Sequence, residues 1–166
     1  MAKKTPAAPT TAATAALDRA GIRFTPHGYE HDAQVTDFGA EAAEKLGIDA
    51  ARVFKTLMVA TDAPGGFGIG IVPVDAMLDL KALAGALGGK KAELAEPKTA
   101  ERKSGYVVGG ISPVGQRTPL PTVLDSSAEG FETILVSGGR RGFDIELAPA
   151  DLLAATNGKL AAIRRG

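Results

Sequence analysis

Val53-Phe54-Lys55-Thr56-Leu57-Met58-Val59-Ala60 reads as a strand that continues to Thr61, and Phe67 to Val72 reads as its return. Asp62-Ala63-Pro64-Gly65-Gly66 between them carries turn residues, so the two runs predict an antiparallel hairpin. Strand geometry puts Lys55 on the face of Val53, Leu57 and Val59, with Phe54, Thr56 and Met58 on the other. An ammonium on an apolar face costs several kcal/mol to desolvate unless a partner or an anion offsets it. Lys55 is therefore either a cation aimed at a ligand or a lysine that snorkels with its head in water.

Outward from the hairpin, helices and strands mix without a regular alternation. Thr10 or Thr11 caps an Ala-rich helix ending at Gly21, and Ile22 to Tyr29 is a strand interrupted by Pro26. Ala40 to Leu46 is a short helix, capped by Thr36 or Asp37 and closed by Gly47. Asp79 caps a helix through Leu80, Leu83 and Leu87, Ala92 to Ala95 is a short strand, and Pro97 opens a helix that stops at Gly105. Tyr106-Val107-Val108 reads as a strand running into Gly109-Gly110. Thr122 to Asp125 and Thr133 to Ser137 are strands, Gly138 to Gly142 a turn, and Phe143 to Leu147 its return. Pro149 opens a last helix over Asp151 to Thr156, and Leu160 to Ile163 is the final strand. This order predicts an α+β fold with a mixed, largely antiparallel sheet partly closed on itself and helices packed outside.

The chain has 166 residues, enough for one domain with a sizeable core. Its 45% hydrophobic content suits a soluble globule, and no apolar run reaches the roughly 20 residues that span a bilayer. Met1 to Pro9 has lysines but no apolar stretch, so a flexible lead-in is expected over residues 1–13, with the folded domain over 14–166 and a cytoplasmic location. There is no cysteine, which excludes disulfides, a cysteine nucleophile and thiolate metal sites. The two histidines, His27 and His31, share a segment broken by Pro26 and Gly28, so they make neither half a helical metal site nor part of a triad. Lys and Arg number 19 and Asp and Glu 19, a balance unlike that of a protein that grips nucleic acid unaided.

Two glycine-rich segments carry the remaining chemistry. Gly109-Gly110-Ile111-Ser112-Pro113 either brings backbone amides close to a carbonyl or phosphate oxygen or is a strand-exit bulge. Gly138-Gly139-Arg140-Arg141-Gly142 either contacts phosphate or is a hairpin loop with solvated arginines. Asp144 shares its strand face with Glu146, which is either a solvent face or a carboxylate held near Lys55 or a substrate ammonium.

Tyr29-Glu30-His31-Asp32, Val53-Phe54-Lys55-Thr56-Leu57, the run from Gly105 to Gly115 and the run from Val136 to Leu147 together resemble the YbaK/EbsC family, in particular its Cys-tRNA(Pro) deacylases. The likeness runs from about residue 14 to the C-terminus. It implies a free-standing editing domain, related to the insertion domain of bacterial prolyl-tRNA synthetases, with a barrel-like sheet surrounded by helices. It implies deacylation of cysteine wrongly joined to proline tRNA, the cysteine thiol attacking its own ester to give a thiolactone. That chemistry needs no protein nucleophile, metal or cofactor, and classes the enzyme as a hydrolase or, through the thiolactone, a lyase. Carried onto this chain, Lys55 and Thr56 match the family's pocket pair, and Tyr29 and Phe38 its aromatic positions. Gly109, Gly110, Ile111 and Ser112 match the loop at the aminoacyl carbonyl. Gly138, Gly139 and Asp144 match the second loop and its carboxylate. The implied partners are the acceptor end of mischarged tRNA(Pro) and prolyl-tRNA synthetase in a ternary complex, the synthetase supplying tRNA affinity that a neutral protein lacks. Two alternatives stand beside this: a deacylase for another small amino acid such as alanine on tRNA(Pro), and a non-catalytic module for a nucleotide or tRNA end.

Overall fold

The computed structural model describes residues 9–166; residues 1–8 of the expected lead-in lie outside the described residues. Helix α1 (Ala12–Ala20) starts where Thr11 accepts the Thr14 amide and Thr14 answers in a capping box, and it stops where Gly21 turns left-handed at φ 71°. The expected boundary between residues 13 and 14 therefore falls inside this helix. Strand β1 (Thr25–Gly28) is only four residues long. It is an edge strand, paired to β8 (Phe143–Leu147) alone, which is where Pro26 can be accommodated. Helix α2 (Phe38–Leu46) begins two residues before the expected start, because Asp37 caps the Ala40 amide.

The hairpin stands as read. Strand β2 (Phe54–Thr61) pairs antiparallel with β3 (Phe67–Pro73), Lys55 opposite Val72. Strand β4 (Met77–Leu78), helix α3 (Leu80–Leu87), β5 (Ala92–Leu94) and α4 (Pro97–Ser104) follow. Residues 106–108 do not form the expected strand: they turn, with the Gly110 amide donating to Val107 O at 2.8 Å. Strands β6 (Thr122–Asp125) and β7 (Ile134–Arg140) precede β8, then helix α5 (Pro149–Thr156), β9 (Lys159–Ala161) and β10 (Arg164–Arg165) complete the chain. Strand β7 extends through Gly138 and Gly139 with an irregularity before Arg140, so the reversal falls at Arg141 and Gly142 instead of spanning Gly138 to Gly142. The last expected strand stops at Ala161, because Asp125 takes the Ile163 and Arg164 amides at 2.9 and 3.0 Å and turns the tail toward β4.

Among the described residues the two larger sheets are β5-β2-β3-β6-β9 and β1-β8-β7, joined by a parallel bridge between Val53 and Leu135, and β10 pairs with β4 in a third. Only β3–β6 and β6–β9 pair in parallel within them. The result is the mixed, largely antiparallel, barrel-like α+β fold. Phe54 and Met58 enter the main core with Ile69, Ile71, Leu124, Ile134, Val136, Phe143 and Ile145. Val59 and Val72 face the other way, onto Leu83 of α3. Both faces of β2 are thus covered, which explains its near-continuous apolar run.

Candidate active site

Val53, just before β2, bridges Leu135 of β7, and among the described residues the two strands share no further ladder pair. On the same side β5 pairs with β2 only at Val59, Ala60 and Thr61. The edge of β2 from Phe54 to Leu57 is left facing a cavity of about 600 Å³, whose walls come from the start of α2, the β5–α4 junction, residues 108–111, β7 and β8. Seven of the expected residues line it: Tyr29, Phe38, Lys55, Thr56, Gly109, Ile111 and Asp144.

Lys55 is half-buried, and among the described residues no carboxylate lies within ion-pair distance of it. Its neighbour Thr56 has a buried Oγ1 with no hydrogen-bond partner. A buried hydroxyl without a partner is uncommon and marks a place where a ligand can bond. Asp144 is only 6% exposed, on the middle strand of its sheet between His27 and Ser137. Burial pushes its carboxyl up to about 7. Lys55 and Asp144 thus face one cavity without forming a pair. Asp144 is therefore not on a solvent face; its face-mate Glu146 is partly exposed and bonded by His27, Arg52 and Thr133.

Tyr29 is held by its amide, which donates to Gly142 O at 2.9 Å. Burial, then the negative charges of Asp144 and Glu41, push its phenol up to about 12, so it stays a neutral donor. Phe38, at the first turn of α2, lies between His31, ring centroids 5.5 Å apart, and the Arg141 guanidinium 5.0 Å from its centroid. Below it, Glu41 is buried and receives His31 Nδ1 at 2.6 Å, the Asp32 amide at 2.7 Å and Lys45 Nζ at 3.0 Å. Burial alone would raise the Glu41 carboxyl; these donors outweigh it and hold the group at about 2.

Gly109 has φ 91°, and a Cβ there would lie 2.8 Å from both Arg141 Nε and the Phe38 ring. Only glycine allows the loop to lie this close. Among the described residues the Gly109 and Ile111 amides donate no hydrogen bond, whereas the Val108 amide is taken by Glu101 and the Gly110 amide by Val107.

The other four expected residues lie behind this wall. Gly110 packs on the β7–β8 reversal, where a Cβ would come within 2.7 Å of Arg140 Cα. Ser112 is fully buried and its Oγ accepts the Val114 amide. Gly138 sits flat against the Phe143 ring, and its carbonyl accepts Thr11 Oγ1 at 2.6 Å. Gly139, at φ 108°, fits beneath Tyr106 and Thr11. Sequence reasoning passed over Ser137, which lines the cavity beside Asp144. Its alternation with the core residue Val136 was the available signal.

A family model described as "Aminoacyl-tRNA editing domain" matches residues 32–155. The chain belongs to the aminoacyl-tRNA editing domain family. It is 44% identical over 121 residues, 73% of each chain, to the Enterococcus faecalis protein named "Putative Cys-tRNA(Pro)/Cys-tRNA(Cys) deacylase EbsC". It is 32% identical over 98 residues to the Escherichia coli "Multifunctional Ser/Thr-tRNA deacylase ProXp-y", spanning 59% of that protein's length. Among solved structures, one described as a putative trans-editing enzyme for prolyl tRNA synthetase superposes with a TM-score of 0.79 at 26% identity, covering 96% of this chain and all of that one. The YbaK-type editing fold and the trans-editing deacylase class are thereby shown. Among the described residues, no helix is long and apolar enough to cross a membrane.

Proposed function

We propose that this editing domain deacylates Cys-tRNA(Pro), with the cysteine thiol as nucleophile. The observation that carries this reading is the chemistry of the cavity wall. It offers an unpaired lysine, a buried aspartate and unspent backbone amides; its hydroxyls, Thr56 and Ser137, are bonded to no base, and both histidines are bonded to glutamates and line no part of it. Such a wall binds and orients but supplies no activated protein nucleophile.

In this reading Asp144 receives the α-ammonium of the aminoacyl group, whose charge draws the carboxyl back into its ionised form. The Gly109 and Ile111 amides face the ester carbonyl oxygen and stabilise the charge that develops there. Lys55 contacts the phosphate or the ribose region of the terminal adenosine, Thr56 Oγ1 bonds the substrate, and Tyr29 and Phe38 border the nucleoside. Gly110, Ser112, Gly138 and Gly139 act by holding these walls in place. The substrate Sγ attacks its own carbonyl carbon, the carbon–oxygen bond to the ribose breaks, and the thiol proton ends on the freed ribose hydroxyl. The products are a four-membered thiolactone and intact tRNA. The enzyme works in the cytoplasm with prolyl-tRNA synthetase, which contributes tRNA affinity that a chain of zero net charge lacks.

The Ser/Thr-tRNA deacylase relative favours a second reading, hydrolysis of another small amino acid by water in the same cavity. An apolar pocket separates side chains differing by one methylene by only about 1–3 kcal/mol. The deciding experiment is a deacylation panel on tRNA(Pro) charged with cysteine, S-methylcysteine, alanine, serine or threonine, with product analysis. Thiol-assisted chemistry predicts fast release from cysteine, a thiolactone product and no release from S-methylcysteine. Equal release from both cysteine forms overturns it, and saturable binding without any release returns the domain to a binding module.

A further inference from the structure

Arg141 stands beside two residues of the cavity wall, held by the 108–111 loop and by α2. Its Nε donates to Val108 O at 2.8 Å, and its guanidinium lies over the Phe38 ring at 5.0 Å. The loop beneath it can approach only because Gly109 has no side chain. Phe38 is in turn backed by His31, whose Nδ1 is bonded to the buried Glu41.

Arg141 is nonetheless exposed, and among the described residues no carboxylate pairs with it and neither terminal nitrogen has a partner. An exposed arginine normally samples many rotamers, so fixing one at both Nε and the ring face removes most of that freedom in advance. What remains is a planar fork with two free nitrogens beside Gly109 and Phe38, both of which line the cavity. A fork of that kind matches the oxygens of a phosphate group bidentately. Lys55, by contrast, reaches the cavity as a single point charge from the β2 edge.

The geometry points to Arg141 as the residue that binds the 5′-phosphate of the terminal nucleotide. This inference rests on the nucleotide-end reading of the cavity given above and deepens it. It assigns the phosphate to the β7–β8 reversal and leaves Lys55 for the ribose and ester side of the cavity. Phe38 and Gly109 are positioning residues for this contact.

Adenosine 5′-phosphate and adenosine are the probes, titrated by NMR into wild type and into Arg141→Gln, with thermal unfolding to confirm that the variant is folded. Arg141→Lys is the second variant, which keeps the charge and loses the fork. Wild type should bind the phosphorylated nucleoside about 10-fold or more tighter than adenosine, the size expected for hydrogen bonds to a charged group. Arg141→Gln should erase that preference while leaving adenosine binding within about 3-fold, and Arg141→Lys should retain only part of it. Equal wild-type binding of the two probes overturns the inference, as does a phosphate preference that survives in Arg141→Gln. A protein that keeps the Arg141-dependent preference but releases no amino acid from any charged tRNA upholds this contact and overturns the deacylase reading alone.

Discussion

Lys55 and Asp144 line one cavity, yet their charges do not meet. Two opposite charges that line one cavity without pairing are each available to a ligand. Removing Lys55 should therefore cost binding or turnover and little stability. Lys55→Ala should lower kcat/KM by about 10-fold or more, the loss of a charge-assisted contact, with a urea midpoint within experimental scatter of wild type. A variant with wild-type turnover would return Lys55 to a snorkelling surface residue. Asp144 yields a pH signature. Its carboxyl, pushed up to about 7, is half neutral at physiological pH in the free protein, so kcat/KM should fall as pH drops through about 7. Asp144→Asn should abolish that limb and leave only the rise from the substrate thiol, whose ordinary pKa is about 8.5. Stability should move the other way. A raised acid stabilises the fold below its ordinary 3.8 and loses that contribution as pH rises through about 7, so Asp144→Asn should have the higher melting temperature at pH 8. A lower melting temperature for that variant at pH 8 would contradict burial as the cause of the shift.

At the scale of elements, the site exists because the 108–111 loop lies pressed against α2 and the β7–β8 reversal. Gly109→Ala tests this directly. A methyl at φ 91° would meet Arg141 and the Phe38 ring, so the loop must lift and part the Phe38–Arg141 stack. The expected result is a loss of activity at least as large as that of Lys55→Ala with a stability cost of about 1–3 kcal/mol, read from kinetics and urea unfolding together. Much of this scaffold was legible in the sequence wherever the cause is local. Thr11, Asp37 and Asp79 cap the helices they announce, and the β2–β3 hairpin follows from its turn residues. What was not legible depends on remote partners. Gly138 reads as a turn, but it is strand, because its missing side chain makes room for Phe143. Tyr106 to Val108 reads as a strand, but its donors and acceptors go to Val107–Gly110, Glu101 and Arg141 instead of to a ladder. Asp125 gives no local hint that it will take the amides of Ile163 and Arg164. For the site, residue types pointed to Lys55 and Asp144, while Ser137, read as the last residue of a strand, carries no charge or glycine pair to set it apart.

For the whole molecule, the fold closes its N-terminal helix onto β7 through Thr11 and Gly138 and buries Ala13 and Leu17 in the main core. We propose that the editing domain accordingly starts at Thr11. Removing residues 1–13 should lower stability by about 1–3 kcal/mol in urea unfolding, through the lost cap and core alanine. Glu41 joins Asp125 and Glu146 among the partly or fully buried carboxylates held below their ordinary range, and so contributes to the acid response of the fold. The Glu41 carboxylate ties α2 to the segment that carries His31 and Asp32, and its donors hold it at about 2 against an ordinary 4.5. A lowered acid stabilises the fold at all pH values above its ordinary pKa and loses that contribution as pH falls from 4.5 toward 2. Asp144, whose window runs from 3.8 to about 7, is present in both proteins compared and drops out of their difference. Glu41→Gln should therefore be less stable than wild type at pH 7, and the gap should narrow by on the order of 1–2 kcal/mol between pH 4.5 and pH 2.5. Urea unfolding of both proteins across that interval provides the check. A gap that stays constant with pH would mean that the buried network acts through packing alone, without the carboxylate's charge.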